Sequence, residues 1–129
     1  MRAALKRLHS PDVDDLEHYM PMDPAEFGFL VQMMVGPEDD RSEESFDFVV
    51  CSPKWLQHRL REEPLMGRHY LFIREYNYHR LVDFLRAYCR NCVAATWPEV
   101  ASKLGRLGKW EFEDYSEGDP GPVNQQYTE

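Results

Sequence analysis

The chain has 129 residues, 43% of them apolar and 13% aromatic, with a formal net charge of −8 and an isoelectric point of about 5.1. A length of this order makes one domain that can bury a core without disulfides or metal, and the apolar content excludes a disordered acidic chain. The negative balance excludes nonspecific attachment to nucleic acid or to an anionic membrane, and it suits an encounter with a basic partner.

Ala3 to His9 predicts a short strand with Ala3, Leu5 and Arg7 on one face, stopped by Ser10-Pro11. An acidic loop follows through Pro24. Glu26 to Val35 is nearly all apolar, as in a central strand, and Gly36-Pro37 ends it. The acidic Glu38 to Glu44 then forms a hairpin loop. Ser45 to Cys51 is the next strand, with Phe46, Phe48 and Val50 on one face. Ser52-Pro53, a capping hydroxyl before a first-turn proline, opens a helix to Glu62. Pro64 and Gly67 turn the chain into a strand from Arg68 to Glu75.

Tyr78 to Cys92 is the longest helical pattern, with Leu81, Leu85 and Tyr88 at helical spacing. Thr96-Trp97-Pro98-Glu99 is a capping box, and the short helix it opens aligns Val100, Leu104 and Leu107. Gly105 and Gly108 release a last strand, Lys109 to Asp114, that points Trp110 and Phe112 inward and Glu111 and Glu113 outward. Residues 116–129 are polar and rich in Gly and Pro, as in a disordered tail. The order β-β-β-α-β-α-α-β predicts one α+β domain over residues 1–115. Its largely antiparallel sheet has about five strands, with two or three helices packed on one face.

The charge is unevenly spread. Residues 10–24 carry −5, from Asp12, Asp14, Asp15, Glu17 and Asp23. Residues 36–47 carry another −5, from Glu38, Asp39, Asp40, Glu43, Glu44 and Asp47 against Arg41. The segment 111–129 adds −6, whereas 54–90 carries +4. Scattered acids keep a protein soluble. Acids gathered on one face would instead form a patch for a basic partner, and on that reading Asp12, Asp14, Asp15, Glu17, Glu38, Asp39, Asp40, Glu43, Glu44, Glu111 and Glu113 are the candidate contacts. Tyr76 and Tyr78, which flank Asn77, join them as aromatic anchors or else cap the core.

Catalytic and metal chemistry finds little support. Cys51, Cys89 and Cys92 are too few, and odd in number, for a disulfide framework. Cys89 and Cys92 have CxxC spacing at the C-terminal end of a predicted helix, where the dipole opposes thiolate formation. Zinc would need two further ligands, and no second paired motif supplies them. The enzyme alternatives are a Cys51–His69 pair on neighbouring strands, which no residue in the sequence orients, and paired carboxylates such as Glu111 and Glu113, which on a one-sided strand are more simply solvent-facing acids. No phosphate loop, nucleophile elbow or HExxH motif occurs, so no cofactor or metal is expected. No signal-like apolar run follows the first basic residues, and no run of roughly twenty apolar residues could span a membrane, so a cytoplasmic protein is expected.

Three runs, Phe46 to Leu56 (FDFVVCSPKWL), Gly67 to Leu71 (GRHYL) and Gly105 to Tyr115 (GRLGKWEFEDY), resemble the Immunity protein 8 family of bacterial polymorphic toxin systems. His9-Ser10-Pro11-Asp12 and Phe27-Gly28-Phe29 fit as well. The resemblance implies a cytoplasmic antitoxin, encoded beside a secreted toxin, that binds the toxin domain without catalysis. It carries over no catalytic residues, and Trp55, Gly67, Trp110 and Phe112 read as fold determinants. The toxin is not identified; a basic nuclease suits the charge, and another catalytic domain is permitted. A general binding module unrelated to toxins is the other alternative.

Overall fold

The computed structural model describes residues 1–61 and 63–113; the expected tail, 116–129, lies outside the described residues. The elements follow the expected order: β1 (Ala3–His9), β2 (Gly28–Pro37), β3 (Glu44–Cys51), α1 (Pro53–Arg59), β4 (Tyr70–Phe72), α2 (Tyr78–Arg90), α3 (Trp97–Leu104) and β5 (Lys109–Trp110). β1, β2 and β3 form an antiparallel meander. α1 then carries the chain back so that β4 joins β3 in parallel, which makes the sheet mixed. β5 pairs antiparallel with the other end of the same β3 edge. Two short strands thus share one edge, β5 against Phe46 and Asp47 and β4 against Val49 to Cys51.

Strand alternation builds the core. It sends Phe29, Val31, Met33 and Val35 of β2, and Phe46, Phe48 and Val50 of β3, to one face. There they join Leu81, Leu85 and Cys89 of α2 and Val100, Ala101 and Leu104 of α3. Burying each such large side chain stabilises the fold by about 1.5–3 kcal/mol. The helix starts are fixed by side chains: Ser52, Asn77 and Thr96 accept the backbone N–H groups of Trp55, Arg80 and Glu99. Gly28 precedes Phe29 and so faces the opposite side, where a Cβ would lie 2.2 Å from the Trp55 ring. α1 therefore packs across the second sheet face at that end, while α2 and α3 cover the first.

α1 and α2 end earlier than expected, at Arg59 and Arg90, and four further differences lie in the strands. β1 carries a bulge between Leu5 and Arg7, so Leu8 follows Leu5 onto the packed face and Arg7 turns outward. β2 runs on through Gly36-Pro37 because β1 pairs as far as Ala3↔Pro37. The predicted strand Arg68–Glu75 shrinks to Tyr70–Phe72, the length of β3 edge that β5 leaves free. The predicted strand Lys109–Asp114 shrinks to Lys109–Trp110, because the chain turns away from β3 after Trp110. The Glu111 N–H still reaches the Ser45 carbonyl, and the chain then turns, with the Glu113 N–H on the Trp110 carbonyl. Glu111 and Glu113 therefore do not line one strand face, and Phe112 is 37% exposed.

Gly36 is held by close approach: a Cβ there would lie 1.8 Å from the Ser42 carbonyl oxygen. Backbone on both sides cannot yield, so Gly36→Ala is expected to cost about 3 kcal/mol. Urea denaturation should show a lower midpoint with an unchanged slope. An unchanged midpoint would mean that the hairpin shifts freely.

Candidate functional site

The 10–24 loop is braced from within. Val13 and Leu16 are buried. Tyr19 meets Phe29 and Tyr76 edge-on, with ring centroids 5.4 and 5.2 Å apart. The Tyr76 hydroxyl donates to the Leu16 carbonyl, and burial pushes its phenol up to about 12. Tyr76 thus ties the loop to the core. Asp12 accepts the Leu30 N–H at 3.0 Å, beyond the point where β1 stops covering β2. Asp23 pairs with Lys54 at 2.7 Å and accepts the Ala25 N–H. Asp15 meets the His18 ring at 2.9 Å, which holds the Asp15 carboxyl below its usual range and raises His18.

These ties leave Asp14 and Glu17 exposed, with no ion pair to another described residue. Asp14, Asp15 and Glu17 line a cleft of about 230 Å³ together with His9, Leu16 and Tyr78. Further along the same loop Met20 and Met22 are 87% and 105% exposed, a large apolar area on an ordered segment.

The second acidic set lies at the other end of the β2–β3 hairpin, roughly 30 Å away along a ten-residue strand. Most of its members are engaged within the fold. Glu43 accepts from Arg7 at 2.8 Å, and Glu38 lies 3.9 Å from Arg2. Asp40 accepts the Ser42 N–H, which lowers its carboxyl, while its backbone carbonyl takes Lys6. One oxygen of Glu44 accepts both the Trp97 and the Trp110 indole N–H, each at 2.8 Å. Glu111 accepts the Ser45 N–H at 2.6 Å, and Glu113 lies 3.3 Å from Arg68. Asp39 is exposed at the hairpin tip. The candidate acids therefore occupy two ends of the sheet, and those with uncommitted charge in the 10–24 loop gather around Tyr78.

Sequence reasoning did not see the cleft, because Tyr78 and Asp14 are brought together only by the tertiary fold. It also passed over Met20 and Met22. Two methionines around Pro21, outside any strand or helix pattern, were the available signal.

The Cys51–His69 pair is not assembled. β4 places Phe72 opposite Cys51, so His69 lies three residues back, about 10 Å along the strand. His69 itself precedes β4, in a turn with φ of 65°. All three cysteines are free and buried. Burial pushes the Cys51 thiol up to about 11 and Cys89 to about 12, and it raises Cys92. A disulfide-exchange reagent at pH 8 is therefore expected to label none of the three thiols until denaturant is added. Fast labelling of native Cys51 would restore it as a nucleophile. Among the described residues no three His, Cys, Asp or Glu gather as metal ligands.

The fold and its surface define a small α+β domain, a mixed sheet with an acidic cleft at one end. The chain belongs to the Immunity protein 8 family, whose model matches residues 3–115. Membership gives it an immunity role, and that role implies a cognate toxin. No curated protein and no solved structure matches the chain. No helix among the described residues is long and apolar enough to cross a membrane.

Proposed function

We propose that the chain is a cytoplasmic immunity protein of a polymorphic toxin system. It folds as one domain over residues 1–115 and neutralises its toxin by covering the toxin's surface, without catalysis or cofactor. The observation that carries this reading is the cleft at Asp14, Asp15, Glu17 and Tyr78, built on a loop whose backbone is already fixed. A preformed loop loses little conformational freedom on binding, so more of its interaction energy is kept as affinity. Unpaired carboxylates speed the encounter with a positive surface, and Tyr78 together with the exposed methionines supplies apolar contact that slows release. The partner that fits is a toxin domain with a basic face, of the kind a nuclease presents to nucleic acid.

Co-expression with the toxin domain encoded beside this chain tests the reading. Growth should be rescued and the two proteins should co-purify. Failure to rescue, or turnover of a small metabolite by the purified chain, would overturn it.

A further inference from the structure

A second cleft, of about 500 Å³, opens between the C-terminal end of α3 and the 111–113 turn. Its walls include Arg68, Ser102, Arg106, Trp110, Phe112 and Glu113. Trp110 forms a fixed floor: Glu44 holds its indole N–H, and its ring stacks on Phe46 at 6.4 Å with an interplanar angle of 8°. Phe112 stands edge-on to Trp110 at 5.8 Å and is partly exposed. Trp and Arg in a shaped pocket are the residue types that dominate binding energy at protein interfaces.

The polar groups around the cleft are incompletely matched. Arg68 is 65% exposed and holds Glu113 only loosely, at 3.3 Å. Arg106 is exposed and makes no ion pair with another described residue. Behind Glu113 lies His69, in its left-handed backbone conformation. Both His69 ring nitrogens are buried and lack a well-formed hydrogen bond, with Glu113 and the backbone of Leu107 as their polar neighbours. His69 Nε2 is 3.7 Å from Glu113 Oε1, about 0.5 Å beyond the usual hydrogen-bond range. Backbone strain beside orphaned buried polar atoms is a common mark of a site that completes itself on binding.

We propose that this cleft receives a carboxylate side chain of the partner protein, set between Arg68 and Arg106, with an adjoining apolar residue on Phe112 and Trp110. The guanidinium forks match a planar carboxylate. The incoming group takes the place of Glu113 at Arg68, and Glu113 closes the short gap to His69. Glu113 in the wall disfavours a doubly charged phosphate more than a single carboxylate, so a nucleotide fits less well. The source of the carboxylate rests on the toxin-binding reading above; the chemistry of the cleft does not.

The test uses N-acetyl-Phe-Asp-amide as probe, followed through the Trp110 indole N–H resonance. A saturable shift at millimolar peptide is expected, weaker for N-acetyl-Phe-Asn-amide and absent in the double variant Arg68→Ala, Arg106→Ala. An unchanged Trp97 indole resonance in that variant establishes its fold. No saturable shift in the native chain, an equal response to the Asn peptide, a response that survives the double variant, or tighter binding of adenosine monophosphate would each overturn the proposal. With the toxin itself, the double variant should dissociate roughly tenfold faster. Unchanged dissociation would also overturn the cleft. If the native chain binds no toxin at all, the immunity reading falls, and the dipeptide arm alone decides the cleft.

Discussion

Replacing Glu44 with leucine should cost about 3 kcal/mol of stability and lower Tm by about 10 °C. Glu44 opens β3, and one of its carboxylate oxygens accepts two indole N–H groups, from Trp97 at the start of α3 and Trp110 in β5. A single acceptor thus joins the last helix and the last strand to the central hairpin. Hydrogen bonds to a charged acceptor contribute about 1.5–3 kcal/mol each, and removing the acceptor leaves two part-buried donors without a partner. Glu44→Gln keeps an acceptor in place and should lose only about 1 kcal/mol. Thermal unfolding of the three proteins checks the ranking. Equal Tm values for the Leu and Gln variants would show that the indoles find other acceptors.

Reversing Asp14 and Glu17 to lysine should slow toxin association by roughly ten- to a hundredfold and flatten its dependence on salt. Neither side chain forms an ion pair with another described residue, and the one internal effect lost is the attraction of Glu17 for the neighbouring His18. Reversing Asp39, at the far end of the hairpin, should leave the rate near that of the native chain. Stopped-flow mixing at two salt concentrations separates the two ends. Equal slowing at both ends would assign the encounter to net charge alone, and no slowing at Asp14 and Glu17 would remove the 10–24 loop from it.

Elements written in local patterns were legible from the sequence. β2 announces itself by its apolar run, β3 by alternation, α2 by helical spacing, and α1 and α3 by capping residues that do what their types imply. What stayed hidden depends on partners distant in the chain. β5 is cut short by the turn at residues 111–113, β4 runs parallel because α1 returns it to the same edge, and the β1 bulge is visible only in register. The acids were legible as composition, but their commitments were not. Glu44 bonds an indole sixty-six residues away, and Glu43 bonds an arginine thirty-six residues before it. A count of charges could not separate acids that hold the fold from those left for a partner. Asp14, Asp15 and Glu17 share a cleft with Tyr78, and of these Asp15 is paired with His18.

The flank of β3 away from β2 is closed by two strands of three and two residues, and Arg2, just before β1, is bridged to Val93. The β3 flank therefore offers little continuous backbone on which another copy could stack as an added strand. An antidote has to be on hand before the poison arrives, so it must accumulate without clumping. Blunting that flank of β3 removes one margin along which copies of an accumulating antidote could clump.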